Sequence, residues 1–118
     1  MTTALSASTL KGDTVRNKAG EKLGILEEFV LDIDRGRIAY AVLASGGFLG
    51  MGERYFAIPW DLMAVDTDNK EVVLDVDKTV LADAPGFDKD DWPDMNDLTW
   101  VNAVYQYYGR DLYWEAAV

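Results

Sequence analysis

The stretch that decides the fold is residues 38–66, IAYAVLASGGFLGMGERYFAIPWDLMAVD. It predicts two β-strands that are connected by a glycine-rich loop and ended by a Pro-Trp corner. The first strand has apolar residues at every second position, the pattern of a strand with one buried face; these residues are Ile38, Tyr40, Val42 and Ala44. The second strand, residues 55–58, ends at Pro59 because proline lacks the backbone N–H that a ladder needs.

The loop between these strands combines glycines with apolar side chains. The glycines permit backbone conformations with positive φ and close approach of neighbouring chains; they are Gly46, Gly47, Gly50 and Gly52. Three apolar side chains have no obvious place in a loop: Phe48, Leu49 and Met51. We therefore expect them to be buried, either over the mouth of a barrel or against a partner.

Four further segments have strand character, which brings the expected number of strands to six: 14–17, 23–33, 63–65 and 72–76. Segment 23–33 is apolar on both of its faces, which predicts a β-bulge near Glu27 and Glu28 that switches the inward face. Short helical turns are expected at 61–62 and 78–82. Residues 1–9 are small and polar, which is typical of a flexible N-terminal arm. Trp60 is large enough to plug one end of a barrel.

Several of these motifs together make residues 10–82 similar to a known family. They are Leu10-Lys11-Gly12-Asp13, Val15, Gly20, Gly24, Asp32, Asp34, Gly46-Gly47-Phe48 and Ala57-Ile58-Pro59-Trp60. The segment resembles the PRC-barrel, the small β-barrel of the cytoplasmic part of the photosynthetic reaction-centre H subunit, of the C-terminal half of the ribosome-maturation factor RimM, and of many short bacterial proteins.

The resemblance implies a mainly β fold, in which a PRC-type barrel of about six strands precedes an irregular acidic loop and a C-terminal α-helix. It implies an architecture rather than a shared chemistry. It also implies that the barrel docks on a larger assembly, as the RimM barrel does on a ribosomal protein.

Composition narrows the possible functions. The length of 118 residues suits one domain. The chain has 21 acidic and 11 basic residues and a net charge of −10, so its surface repels phosphate backbones and anionic lipid headgroups. We therefore expect no direct nucleic-acid binding. The absence of histidine and cysteine excludes imidazole catalysis, disulfides and thiolate metal sites.

The sequence also bears on where the protein works. No apolar run is long enough to span a bilayer. The first residues lack the basic and apolar regions of a signal peptide. We therefore expect a cytoplasmic protein with no membrane insertion.

The C-terminal part, residues 83–118, has a different composition. Residues 83–97 are rich in aspartate and contain two prolines, which predicts an ordered loop. Asn96 or Asp97 is a suitable N-cap for a helix at 98–108, and Gly109 is a suitable residue to end it. This part is expected to pack on the barrel or on a partner subunit.

The predicted helix is apolar on two sides. One stripe has the spacing of a single helical face: Leu98, Val101, Tyr105 and Tyr108. The second face carries Trp100, Val104 and Tyr107. Two alternatives would cover it: the aromatic tail with Tyr113 and Trp114, or a second subunit. We favour a homodimer, because exposed patches of tyrosine and tryptophan usually mark interfaces. Its interface would combine these residues with the loop residues Phe48, Leu49 and Met51.

The carboxylate pairs invite a metal hypothesis, but aspartates beside tight turns usually bond their own backbone. We therefore expect no catalytic, cofactor-binding or metal-binding residue. The first hypothesis is a non-enzymatic protein–protein interaction module with an unidentified protein partner. The alternative is a barrel that binds a small molecule or a divalent ion, through the loop Gly46–Gly52 or the loop Asp88–Asp97.

Overall fold

The computed structural model describes residues 4–46 and 53–114. Phe48, Leu49 and Met51 lie outside the described residues. The strands are β1 (Thr14–Arg16), β2 (Lys22–Asp32), β3 (Arg37–Gly46), β4 (Glu53–Ile58), β5 (Met63–Asp66), β6 (Glu71–Leu74) and β7 (Gly86–Phe87). The helices are α1 (Ala7–Leu10), α2 (Lys78–Ala82) and α3 (Leu98–Tyr107), and a 3-10 turn spans Trp60–Leu62.

The short helical turns expected near 61–62 and at 78–82 are confirmed. Residues 7–9 of the expected N-terminal arm are exposed and form α1 together with Leu10, which is buried in the core.

The described strands form one sheet in the order β5-β6-β1-β2-β3-β4-β7. β1 and β6 pair in parallel, and all other neighbours pair antiparallel. The sheet curves around one apolar core to which β1–β6, α1 and α2 all contribute. Within the described residues the sheet is not closed, since β5 and β7 are its two outer strands. The mainly β, barrel-like prediction is confirmed, and β7 adds a short strand to the six expected.

Two irregularities bend β2 against β3. Leu26 pairs with Leu43, but Glu28 pairs with Val42, so Glu27 is an extra residue. This is the bulge expected near Glu27 and Glu28. A second shift lies on β3. Val30 pairs with Tyr40 and Leu31 pairs with Ile38, so Ala39 is an extra residue.

The sheet buries both of its faces along β3. Ala41 and Leu43 point into the barrel core. Tyr40 and Val42 point to the other face, where α3 covers them. The prediction of one buried face for β3 is therefore wrong, because a helix packs on the outside of the sheet and residues 38–44 of this strand are all apolar.

Ile38 also departs from its expected position. It lies beyond the extra residue Ala39, so it no longer shares a face with Tyr40 and Val42, and it is only half-buried. A bulge reverses the direction of the side chains that follow it.

Gly24 is a glycine at which a side chain would clash with the neighbouring strand. A Cβ atom there would lie 2.2 Å from the carbonyl oxygen of Ala44 on the neighbouring strand β3. Backbone atoms cannot move away as a side chain can. Gly24 therefore allows β1, β2 and β3 to approach closely at the start of the barrel.

α3 begins and ends as the sequence predicts. The side chain of Asp97 accepts a hydrogen bond from the backbone N–H of Thr99 at 2.9 Å, which is an N-cap. Gly109 follows the helix with a φ of 66°, the left-handed conformation that ends many helices.

Candidate interaction surface

One half of β2 has a strand neighbour on only one side. β1 pairs with the first part of β2, up to the pair of Thr14 with Ile25. Backbone groups of residues 12 and 13 then bond to Leu26, whereas β3 accompanies β2 as far as Asp32. The side of residues 27–32 that faces away from β3 has no backbone partner in residues 4–46 and 53–114. We call it the open edge of β2.

A carboxylate covers part of this open edge. The backbone N–H of Phe29 points away from β3 and donates to Oε1 of Glu28 at 3.1 Å. Oε2 of the same carboxylate accepts a hydrogen bond from Nζ of Lys11 at 3.1 Å. The bond from the Phe29 N–H, followed by the bond and the charge of Lys11, lowers the pKa of Glu28. A strand that paired here would have to displace this carboxylate.

An apolar groove lies on the inner side of the open edge, where the side chains point towards the barrel. Its volume is about 660 Å³. Its lining residues include Leu5, Phe29, Leu31, Ile38, Trp60 and Val65. Leu31 is 58% exposed, and Leu5, from the N-terminal segment, is 45% exposed. We call this the inner groove.

A second groove lies on the other face of the same strand segment, between β2 and the acidic loop. Its volume is about 620 Å³, and Val30, Leu31, Trp92 and Met95 are among its lining residues. Trp92 is held by an indole N–H bond to the carbonyl oxygen of Lys89 at 2.8 Å and by ring contacts with Phe87 and Tyr55. We call this the outer groove. Leu31 therefore lies between two apolar grooves.

The surroundings of the outer groove are acidic, and Glu28 lines both grooves. Glu27 is exposed beside the outer groove and accepts a bond from the Tyr55 hydroxyl at 3.3 Å. The acidic loop adds five aspartates: Asp88, Asp90, Asp91, Asp94 and Asp97. None of the five forms an ion pair with another described residue. Their charge is therefore available to attract a cationic partner.

Trp60 does not plug a barrel end. It is half-buried, stands edge-on to Phe29 at a ring distance of 5.2 Å, and lines the inner groove. It also lines a smaller cavity with Arg37 and Tyr113. The indole packs against the barrel core from outside and forms a wall of the inner groove.

The structure distributes the predicted α3 interface residues between core and surface. Val104 is fully buried against the sheet. Trp100 is partly buried, with its ring 6.1 Å from that of Phe87. Tyr107 is 39% exposed, and its hydroxyl donates to the carbonyl oxygen of Val80. The prediction that Leu98 belongs to the apolar stripe is wrong. Leu98 is 59% exposed, and Val104 is buried against the sheet.

The aromatic tail closes onto the β2–β3 hairpin. The Tyr113 hydroxyl donates to Oδ2 of Asp32 at 2.6 Å, and Arg37 donates to the Tyr113 carbonyl oxygen at 2.6 Å. Trp114 lies under the guanidinium of Arg35 at 5.0 Å. The tail packs on Tyr105, at a ring distance of 5.9 Å. On the second face of α3, Trp100 and Val104 pack in the cluster that contains Phe87 of β7, and Tyr107 is 39% exposed.

Asp32 and Tyr113 influence each other's ionisation. The Tyr113 hydroxyl, and after it the bonds from Arg35, hold the pKa of Asp32 at about 2. Burial, and after it the bond to Asp32, raises the pKa of Tyr113 to about 12. Near neutral pH the contact is therefore a phenol bonded to a carboxylate.

The aspartates near turns bond as turn residues do. Oδ1 and Oδ2 of Asp66 accept bonds from the backbone and side chain of Asn69 at 3.2 and 2.8 Å. Asp32 accepts the backbone N–H of Arg35. Among the described residues, no group of three or more potential metal-ligating side chains comes together. Most of the loop Gly46–Gly52 lies outside the described residues.

The open edge of β2 is the feature that the sequence interpretation missed. The signal for it is the alternation of Leu31 and Ile33 with Asp32 and Asp34, in which large apolar residues continue past the last residue that β1 could cover. Ile33 is 82% exposed. Strand length alone does not indicate which neighbour ends first, because strand pairing is set by the whole sheet.

The fold defines a small, open barrel-like β domain with an external helix. The family model for the PRC-barrel domain matches residues 2–81, and the chain belongs to this family. No curated protein matches the chain. In the part of the chain that the structure describes, no helix has the length and apolar character needed to cross a bilayer.

Proposed function

We propose that this PRC-barrel protein is a non-enzymatic module that binds another protein through the surface around Leu31. The observation that carries the proposal is the position of this exposed leucine, on the open edge of β2 and between two apolar grooves. Exposed apolar side chains in such a surface usually mark an interaction site. The cytoplasmic location expected from the sequence is part of the proposal.

The two grooves together support a protein partner. They lie on opposite faces of one strand segment, so a single small molecule would fill only one of them. A polypeptide that crosses the open edge would reach both. The acidic residues around them suit a partner with a basic surface.

Binding of a small apolar molecule is a second candidate. The inner groove favours it, because its volume of about 660 Å³ is that of a typical small-molecule pocket and its wall is aromatic at Phe29 and Trp60. The inner groove is thus a further candidate site for such a ligand, beside the loops Gly46–Gly52 and Asp88–Asp97 named from the sequence.

Self-association through α3 also remains a proposal. Its support is now Tyr107 on the second face, which is 39% exposed, because Val104 and Tyr113 are already buried within the chain. Replacing Tyr107 by lysine should convert a dimer into a monomer in sedimentation experiments. A monomeric unaltered protein at tens of micromolar would contradict self-association.

Affinity capture from the native cell tests the proposed function, with two matched variants. Leu31→Lys introduces a charge between the grooves. Ile33→Lys introduces the same charge at a more exposed residue beyond the open edge. A partner protein that the unaltered chain and Ile33→Lys retain, and that Leu31→Lys loses, supports the proposal.

Equal retention by both variants would place the interaction elsewhere. A metabolite that raises the melting temperature of the unaltered chain, but not that of Trp60→Ala, would favour the second candidate.

A further inference from the structure

The open edge of β2 offers unpaired backbone groups as well as apolar side chains. The Phe29 N–H faces outwards, where, among residues 4–46 and 53–114, it donates to the Glu28 carboxylate alone. In an antiparallel ladder the outward direction recurs at every second residue, so Leu31 presents its backbone groups on the same side. Unpaired strand edges bind extended chains by continuing the sheet.

The grooves fit the side chains of such an added strand. Successive side chains of a strand point to opposite faces of its sheet. A chain paired with residues 27–32 would therefore place one side chain in the inner groove, against Phe29, and the next in the outer groove, against Trp92. Both walls are apolar, so apolar residues are required at consecutive positions of the partner.

Charge distinguishes between the possible occupants. If the β2 edges of two copies paired with each other, Glu27 and Glu28 of one copy would lie close to Glu27 and Glu28 of the other. Like charges on paired strands are destabilising. Each copy also carries a net charge of −10. Of the nearby cations, Lys11 is paired with Glu28 and Arg35 with Asp32.

We propose that the open edge of β2 binds an extended segment of a partner protein by strand addition, and that this segment has an apolar centre flanked by lysine or arginine. The inference rests on the proposed function and specifies its partner. The basic residues of the segment would lie near Glu27 and the aspartates of the acidic loop. On binding, the segment would replace the Glu28 carboxylate at the Phe29 N–H.

Synthetic peptides test this proposal directly. The probe is the peptide KKVLVLVKK. The first control is the same peptide with N-methyl groups throughout its VLVLV section, which keeps charge and side chains but removes the amide donors. The second control, EEVLVLVEE, reverses the charge. Binding is followed by NMR chemical shifts and by hydrogen exchange of the Phe29 and Leu31 amides.

The proposal predicts that KKVLVLVKK binds and slows exchange at Phe29 and Leu31, and that both controls bind at least about tenfold more weakly. Leu31→Lys should weaken the probe by about tenfold or more, and Ile33→Lys by no more than about twofold. Equal binding of the N-methylated peptide, or protection confined to other strands, would overturn strand addition.

The outcomes separate this inference from the proposed function. If a cellular partner is lost with Leu31→Lys but KKVLVLVKK does not bind, the proposed function is supported. The proposal that the partner adds a basic strand is then refuted. If Leu31→Lys, and not Ile33→Lys, converts a dimer of the unaltered protein into a monomer, the occupant is a second copy and the inference is overturned.

Discussion

Replacing Val104 by alanine distinguishes core from interface on α3. The Val104 side chain is fully buried between the helix and the outer face of the sheet. The change removes two methyl groups, and the burial of each contributes about 0.8 kcal/mol to the free energy of unfolding. The cavity left in a packed site raises the loss of unfolding free energy to about 2–3 kcal/mol. At about 4 °C for each kcal/mol, the melting temperature should fall by about 8–12 °C.

Urea denaturation followed by tryptophan fluorescence measures this loss, and Trp100 on the same helix is a convenient reporter. Leu98→Ala is the matched control, because Leu98 is aliphatic, lies on α3 and is 59% exposed. Its effect should stay within about 0.5 kcal/mol. A similarly small loss for Val104→Ala would refute the packing of this face of α3 against the sheet.

Three further changes have expected outcomes. Gly24→Ala should destabilise the fold by about 3 kcal/mol or more in the same denaturation assay, because the added Cβ would lie 2.2 Å from the Ala44 carbonyl oxygen; a neutral effect would contradict the close approach of these strands. The low pKa of Asp32 contributes stability above its ordinary value of 3.8, and this is lost as pH falls from there through about 2. Tyr113→Phe should therefore lower the melting temperature near neutral pH and make its decline over that acid range less steep, and an unchanged pH profile would contradict the contact with Asp32. Removal of divalent ions with EDTA should leave the melting temperature unchanged, because Asp32 and Asp66 bond residues of their own turns; a fall on chelation that Ca²⁺ restores would favour ion binding.

Local patterns in the sequence predicted the features that depend on neighbouring residues. The bulge at Glu27, the N-cap Asp97 and the C-terminal glycine Gly109 each follow from side-chain chemistry within a few positions. The mainly β class followed from alternation and from the motifs shared with the PRC-barrel.

Features set by long-range packing were not predicted. Alternation indicated one buried face for β3, but α3 covers the other, and nothing in residues 37–46 states which helix will lie over them. Long-range packing also explains why Val104 was predicted on an uncovered face of the helix. The sequence of α3 does not show that the sheet covers this residue. The open edge of β2 arises because β1 is short, which is a property of the pairing of two strands.

Contact of another protein with Leu31 is the step on which the proposed function depends. The most direct measurement places a photo-crosslinking amino acid at this position and irradiates the native cells. The same amino acid at Val80, which is 40% exposed on α2 and outside both grooves, is the control. We expect a crosslinked protein adduct from position 31 that is absent from position 80. No adduct at position 31, or equal adducts at both positions, would contradict it.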